Sequence, residues 1–136
     1  MIKAINHDQN SLQQISQPAS QNDRQVGRDL ADTLAAHHDH CVGMAANMIN
    51  VHKRIIAVSM GPVDVVMFNP VITAKSQPYQ TKEGCLSLTG ERPAKRYKRI
   101  ELDYRDMDWH KRHITLTAFT AEIVQHEIDH CDGILI

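Results

Sequence analysis

The chain has 136 residues, with 15 Lys and Arg against 16 Asp and Glu, and a net charge of -1. That length suits one domain with a real core, while the charge argues against bulk attachment to nucleic acid or to an anionic membrane. Aromatic residues make up only 4% of the chain, so the core must come from Ile, Val, Leu, Met and Ala.

Residues 1–20 are rich in Gln, Asn and Ser and short of apolar periodicity. They predict an extended arm with a short turn over Asp8–Leu12. Ser20 or Asn22 caps a helix running to about His40, with Val26, Leu30 and Leu34 as its buried stripe and Ala31 and Ala35 alongside. His37, His38, His40, His110 and His113 lie in polar stretches and read as solvated. Cys41–Met48 then brings small residues, Gly43, Ala45 and Ala46, where backbone can approach a strand or a ligand.

Strands are predicted over Arg54–Ser59 and Val63–Phe68, joined at Gly61-Pro62 as a hairpin. Asn69-Pro70 breaks the second, and Val71–Lys75 continues in the same sheet. Arg92, Lys95, Arg96, Lys98 and Arg99 form a basic run; a nucleic-acid face is the minor reading, and the solvated face of a strand the commoner one, because Arg99–Tyr104 alternates polar and apolar. Asp106–Asp108 turns the chain, and His110–Thr117 returns as a strand with Ile114 and Leu116 facing one way. A final helix covers Ala118–Cys131, closed near Gly133, and Ile134–Ile136 could add to a sheet. The pattern is α+β: mainly antiparallel sheets packed around a C-terminal metal-binding helix, with one N-terminal helix, as a single domain over residues 1–136.

The metal-binding reading rests on Gln125-His126-Glu127-Ile128-Asp129-His130. Residues four apart in a helix share a face, so His126 and His130 can grip one ion, with Glu127 beside them to handle a proton. Catalytic sites of this type use three protein ligands and one open position. Six residues follow His130, none of them His or Glu, and Asp132 is too near His130 along the chain. The third ligand is therefore expected upstream. Cys85, beside Gly84, is the best candidate; Cys41 is its rival; Cys131 is rotated about 100° from His130 and packs inward.

Gly43-Met44-Ala45-Ala46, Glu83-Gly84-Cys85-Leu86-Ser87 and Gln125–His130 together resemble the three ordered motifs of peptide deformylases, over roughly Val42 to Ile134. The resemblance implies Cys85, His126 and His130 as metal ligands and Glu127 as the acid/base. It implies one divalent ion, commonly Fe(II), with Zn, Ni or Co able to substitute. The implied reaction removes the formyl group from N-terminal formyl-methionine of nascent polypeptides, with metal-bound water attacking the formyl carbon and Glu127 moving the proton. The backbone N–H of Leu86 is the implied oxyanion donor, Gly43 and Gly84 lie where substrate backbone pairs, and Arg92 is a candidate peptide contact. Val42, Ile123 and Phe119 would enclose the methionine side chain, although ordinary packing accounts for Phe119 and Ile123 as well.

The chain departs from that family at its first motif. Cys41 stands where the family has Gly, and Met48 where it has the Gln that donates to the oxyanion, which a thioether cannot do. The alternative reading is therefore a deformylase-like metal- or peptide-binding protein with weak or no turnover. The expected partner is an N-formyl-methionyl peptide, with no membrane and no specific nucleic acid. Transient ribosome association stays open, though not through an extended C-terminal helix. No basic-apolar leader opens the chain, no apolar run approaches spanning length, and the three cysteines are odd in number and far apart, so the expected location is cytoplasmic.

Overall fold

Alternating burial along the middle of the chain sets the architecture of the computed structural model, which describes every residue from Met1 to Ile136. Five strands, β1 (Gly43–Ala45), β2 (Ile55–Ser59), β3 (Asp64–Cys85), β4 (Leu88–Arg105) and β5 (Lys111–Thr117), form one antiparallel sheet in sequence order. Pairing of Ile55 with Phe68 and Ala57 with Val66 puts these four on one face. Ile56, Val58, Met67, Ile100, Leu102 and Leu116 gather on the other. Three helices accompany the sheet: α1 (Gln9–Leu12), α2 (Arg24–Ala36) and α3 (Ala118–Cys131). Helix α2 covers the first face with Leu30 and Leu34, and α3 covers the second with Ala121, Val124, Ile128 and Cys131. Each large side chain fully buried in these layers contributes about 1.5–3 kcal/mol.

The N-terminal helix is shorter than its sequence pattern predicts: a 3-10 turn over Gln21–Asp23 leads in, and the helix stops at Ala36. Gly27 decides how close it sits. A β-carbon there would fall 2.5 Å from the Phe68 ring, so only glycine admits this approach. The arm before it straps the molecule together. Ser16 N–H donates to Cys131 O at 2.8 Å and Asn6 N–H to Met48 O at 2.7 Å.

Two further expectations are corrected, and one stretch without an assigned element finds its place. Asn69-Pro70 does not break the strand: it is an irregularity inside β3, with Asn69 at φ 52 and a register shift between Phe68 and Val71. Asn69 can hold that backbone because its amide binds both polar groups of Ala19, accepting at 2.7 Å and donating at 2.9 Å. The stretch after Lys75, left unassigned by periodicity, continues β3 to Cys85 and returns directly in β4. Ile134–Ile136 joins no strand; Ile136 is simply buried.

Helix α3 starts without a loop after β5. Ala118 takes φ 54, a left-handed conformation that costs a non-glycine residue on the order of 1 kcal/mol, and this turns the strand straight into the helix. Nine of the helix's fourteen residues are buried, so its polar side chains need partners inside the protein. Gln125 finds one in β4, accepting from Tyr97 N–H and donating to Tyr97 O, both at 2.8 Å.

Candidate metal centre

Two elements meet at the centre. Cys85 closes β3 at the tip of the β3–β4 hairpin, paired with Leu88 across the two-residue turn Leu86-Ser87. His126 and His130 project from α3. Cys85 Sγ lies 3.3 Å from His130 Nε2, which lies 3.1 Å from His126 Nε2, and the three donor atoms fall within 4.8 Å of one another. Donors held at about 2.0–2.3 Å from one tetrahedral ion would sit roughly 3.4 Å apart, so this spacing suits a metal with one thiolate and two imidazoles. Cys41 stands apart from the group: its thiol donates to Gly43 O at 2.8 Å, and burial, then Glu127, push it up to about 12. Cys131 faces the core beneath α3, where burial likewise raises it to about 12.

The histidines are oriented from behind. His126 Nδ1 donates to Glu83 Oε1 at 2.8 Å, leaving Nε2 for the shared point. Glu83 is held in turn by Arg96, whose Nη2 and Nε reach its carboxylate at 2.6 and 2.9 Å, while Nη1 donates to Asp129 at 2.7 Å. Such carboxylate partners fix a ligand's tautomer and direction. Burial alone would raise Glu83, but hydrogen bonds from His126 and Arg96 hold it down at about 2. Burial would lower His126, yet Cys85 and Glu83 keep it up at about 10; burial and the neighbouring His126 charge push His130 down to about 3. His130 is anchored through its backbone, which accepts from Asn47 Nδ2 at 2.9 Å.

The centre lines one end of a cavity of about 610 Å³. Glu127 is on its wall, 5% exposed, with Oε1 lacking any partner. Burial raises its carboxyl to about 7, with the His126 charge opposing. Gly43 makes the arrangement sterically feasible. A β-carbon there would sit 2.7 Å from Ile123 Cγ2 and 2.9 Å from Glu127 Oε2.

Val42, Gly43, Gly84, Cys85, Leu86, Ile123, His126 and Glu127 all line this cavity, with Phe119 at its open side. Met48 and Arg92 do not. Met48 is buried with the α2-side core, its sulfur 3.5 Å from Ala45 N–H, while Arg92 reaches Thr89 O at 3.4 Å. Asn47 does not line the cavity either; its amide Nδ2 donates to His130 O.

Four residues of the site escaped the sequence reading. Arg96 looked like one of five solvated cations, and it is 4% exposed. Ala94, two residues before it, is buried as well, but the exposed pair Lys98 and Arg99 interrupts the alternation that begins at Ile100, so the pattern does not carry back to Arg96. Glu83 sat inside a motif without a role. Glu122, half-buried on the cavity wall and bonded by Tyr79 Oη at 2.9 Å, and His40, at the rim, gave no signal.

Comparison with known proteins shows the family and the fold. The family model for polypeptide deformylase matches residues 1–136. A peptide deformylase of Clostridium beijerinckii is 51% identical over 136 residues, covering all of both chains. The structure resembles a Met-Ala-Ser-bound class I type b peptide deformylase of Acinetobacter baumannii at TM-score 0.88 and 28% identity, over 99% of this chain and 97% of that one. It resembles the peptide deformylase of Thermotoga maritima at TM-score 0.89 and 25% identity, over 99% and 95%. With the family's sequence pattern spanning the whole chain and its fold reproduced around a Cys-His-His cluster, the chain belongs to the peptide deformylase family.

Proposed function

We propose that the chain, acting as one domain over residues 1–136, removes the formyl group from N-terminal formyl-methionine of nascent polypeptides. The strongest support is the convergence of Cys85, His126 and His130 within 4.8 Å beside a buried, unpartnered Glu127 on a cavity wall. A divalent metal held by these three residues, Fe(II) in the cell with Zn, Ni or Co as substitutes, would supply Lewis acidity and make water nucleophilic near neutral pH.

The protein's own groups do the rest. Glu127 takes the proton released as water adds to the formyl carbon, and returns it to the amine as the C–N bond breaks and formate leaves. Its elevated proton affinity, about 7, suits both transfers. The Leu86 N–H, on the turn beside Cys85, donates to the oxygen on which charge develops. Backbone at Gly43 and Gly84 pairs with the peptide as an added strand, and Val42, Ile123 and Phe119 enclose the methionine side chain. Because such substrates arise during translation, we place the protein in the cytoplasm in transient contact with ribosomes.

The test is formate release from formyl-Met-Ala-Ser under anaerobic conditions, with Glu127→Ala alongside. The variant should keep its metal and lose about 100- to 10,000-fold in turnover. Undiminished turnover would remove Glu127 from the reaction, and peptide binding without formate release in the unmodified protein would favour a binding role instead.

A further inference from the structure

The basic run is absorbed only in part by the site, since Arg96 alone turns inward. Residues 73–99 hold seven of the chain's fifteen cations and only two of its sixteen acids. The near-zero net charge therefore conceals a strongly positive arm on an otherwise acidic body. Along this arm the burial alternation disappears: six successive residues, Thr73–Pro78, are exposed, as are Lys98 and Arg99 opposite them. Over this stretch the β3–β4 hairpin is thus open to solvent.

None of the arm's outward cations, Lys75, Lys82, Arg92, Lys95, Lys98 and Arg99, is in an ion pair. Instead, three of them sit against aromatic rings. Lys75 and Lys95 Nζ lie 4.7 and 5.7 Å from the centre of the Tyr97 ring, and Lys98 Nζ lies 6.0 Å from that of Tyr79. Two like charges share one ring, and the carboxylates nearest on α3, Asp129 and Asp132, are already paired to Arg96 and Arg54, which leaves Lys75 and Lys95 without a counter-anion. A concavity of about 360 Å³ opens there, bounded by Lys75, Lys95 and Tyr97 and, on the far side, by the ion-paired Arg54, Asp129 and Asp132.

We infer that this arm is a docking surface for the phosphodiester backbone of RNA. Cations spread along two rigid strands at about 3.3 Å per residue fit a rail of phosphates, and half-buried tyrosines beneath them suit stacking against nucleotides. A membrane surface fits less well, because Val71 is the single large aliphatic side chain exposed on β3 and β4. The choice of RNA over DNA rests on the deformylase reading, whose substrates emerge at ribosomes. The same hairpin carries Cys85 at its tip, so docking along the arm would orient the cavity relative to the RNA.

The experiment titrates a fluorescent RNA stem-loop, and separately phosphatidylglycerol vesicles, with the metal-loaded full chain over a range of salt. The expected result is RNA binding whose log affinity falls with log salt at a slope of about -3, from three to four phosphate contacts. Lys75→Glu/Lys98→Glu should weaken it at least about tenfold and flatten the slope by about 2. Lys3→Glu/Lys111→Glu, off the arm, should leave it unchanged. Both variants should keep wild-type deformylation of formyl-Met-Ala-Ser and the wild-type melting temperature. No RNA binding at low salt, binding undiminished in the arm variant, or tighter binding to vesicles than to RNA would each overturn the inference. A wild-type protein that binds RNA but releases no formate would leave the surface standing and count against the proposed reaction.

Discussion

Met48 is where chemistry and packing pull apart. It occupies the place of an amide donor, yet it is 1% exposed, seated in the α2-side core with its sulfur toward Ala45 N–H. Met48→Gln brings a donor to this position at the cost of a buried amide. We expect turnover to rise about tenfold or more and the melting temperature to fall by a few degrees. An unchanged rate would show that the oxyanion is held without it. Single residues of this kind were the most legible feature of the sequence. Cys85, His126, Glu127 and His130 stand out in the sequence because their chemistry is scarce and their spacing is informative. Arg96 does not, because a cation in a run of cations carries no mark of burial. Gly43 was noted for small size, but what it makes room for, Glu127 and Ile123, is visible only in three dimensions.

At the scale of elements, the hairpin and α3 are fastened by the buried chain His126–Glu83–Arg96–Asp129. Removing one member of a buried ion pair leaves the other uncompensated. Arg96→Met should therefore lower stability by about 3–5 kcal/mol and weaken metal binding about 10- to 100-fold. Adding Glu83→Gln should recover much of the stability, as read by chemical denaturation. A loss below about 1 kcal/mol in the single variant would mean the clamp does not hold the hairpin.

The β4–β5 turn has a carboxylate of its own. Asp106 accepts from Asp108 and His110 N–H at 2.9 Å and from Arg112 Nε at 2.7 Å, and Arg112 first among these holds it below its ordinary 3.8. A depressed carboxylate adds stability above its unfolded value, and that contribution fades as pH falls through the folded value. Asp106→Asn should flatten the decline of melting temperature between about pH 5 and pH 2; an unaltered acid limb would deny the turn that role. Helix and strand periodicity exposed β2, β5, α3 and most of α2. It missed the outer hairpin because alternation needs one dry face, and Thr73–Pro78 has none.

For the whole molecule, the centre joins parts distant in sequence. Cys85 comes from the hairpin, the histidines from α3, and Gly43 from the edge strand, while the N-terminal arm laces β1–β2 to the end of α3. Fold class followed from the order of elements, since one early helix, a run of strands and one late helix leave little choice but a sheet between helices. The single long hairpin that delivers Cys85 to the histidines is a consequence of pairing register, which no local pattern specifies. The central claim is that one metal, held by Cys85, His126 and His130, is required for deformylation. It is tested most directly by measuring metal content and formate release on the same anaerobic samples of wild type, chelator-treated wild type and Cys85→Ala. The account predicts about one ion per chain and formate release in the first, neither in the other two, and recovery of both when metal is returned to the chelated wild type. Formate release that persists in Cys85→Ala or in metal-stripped protein would contradict it.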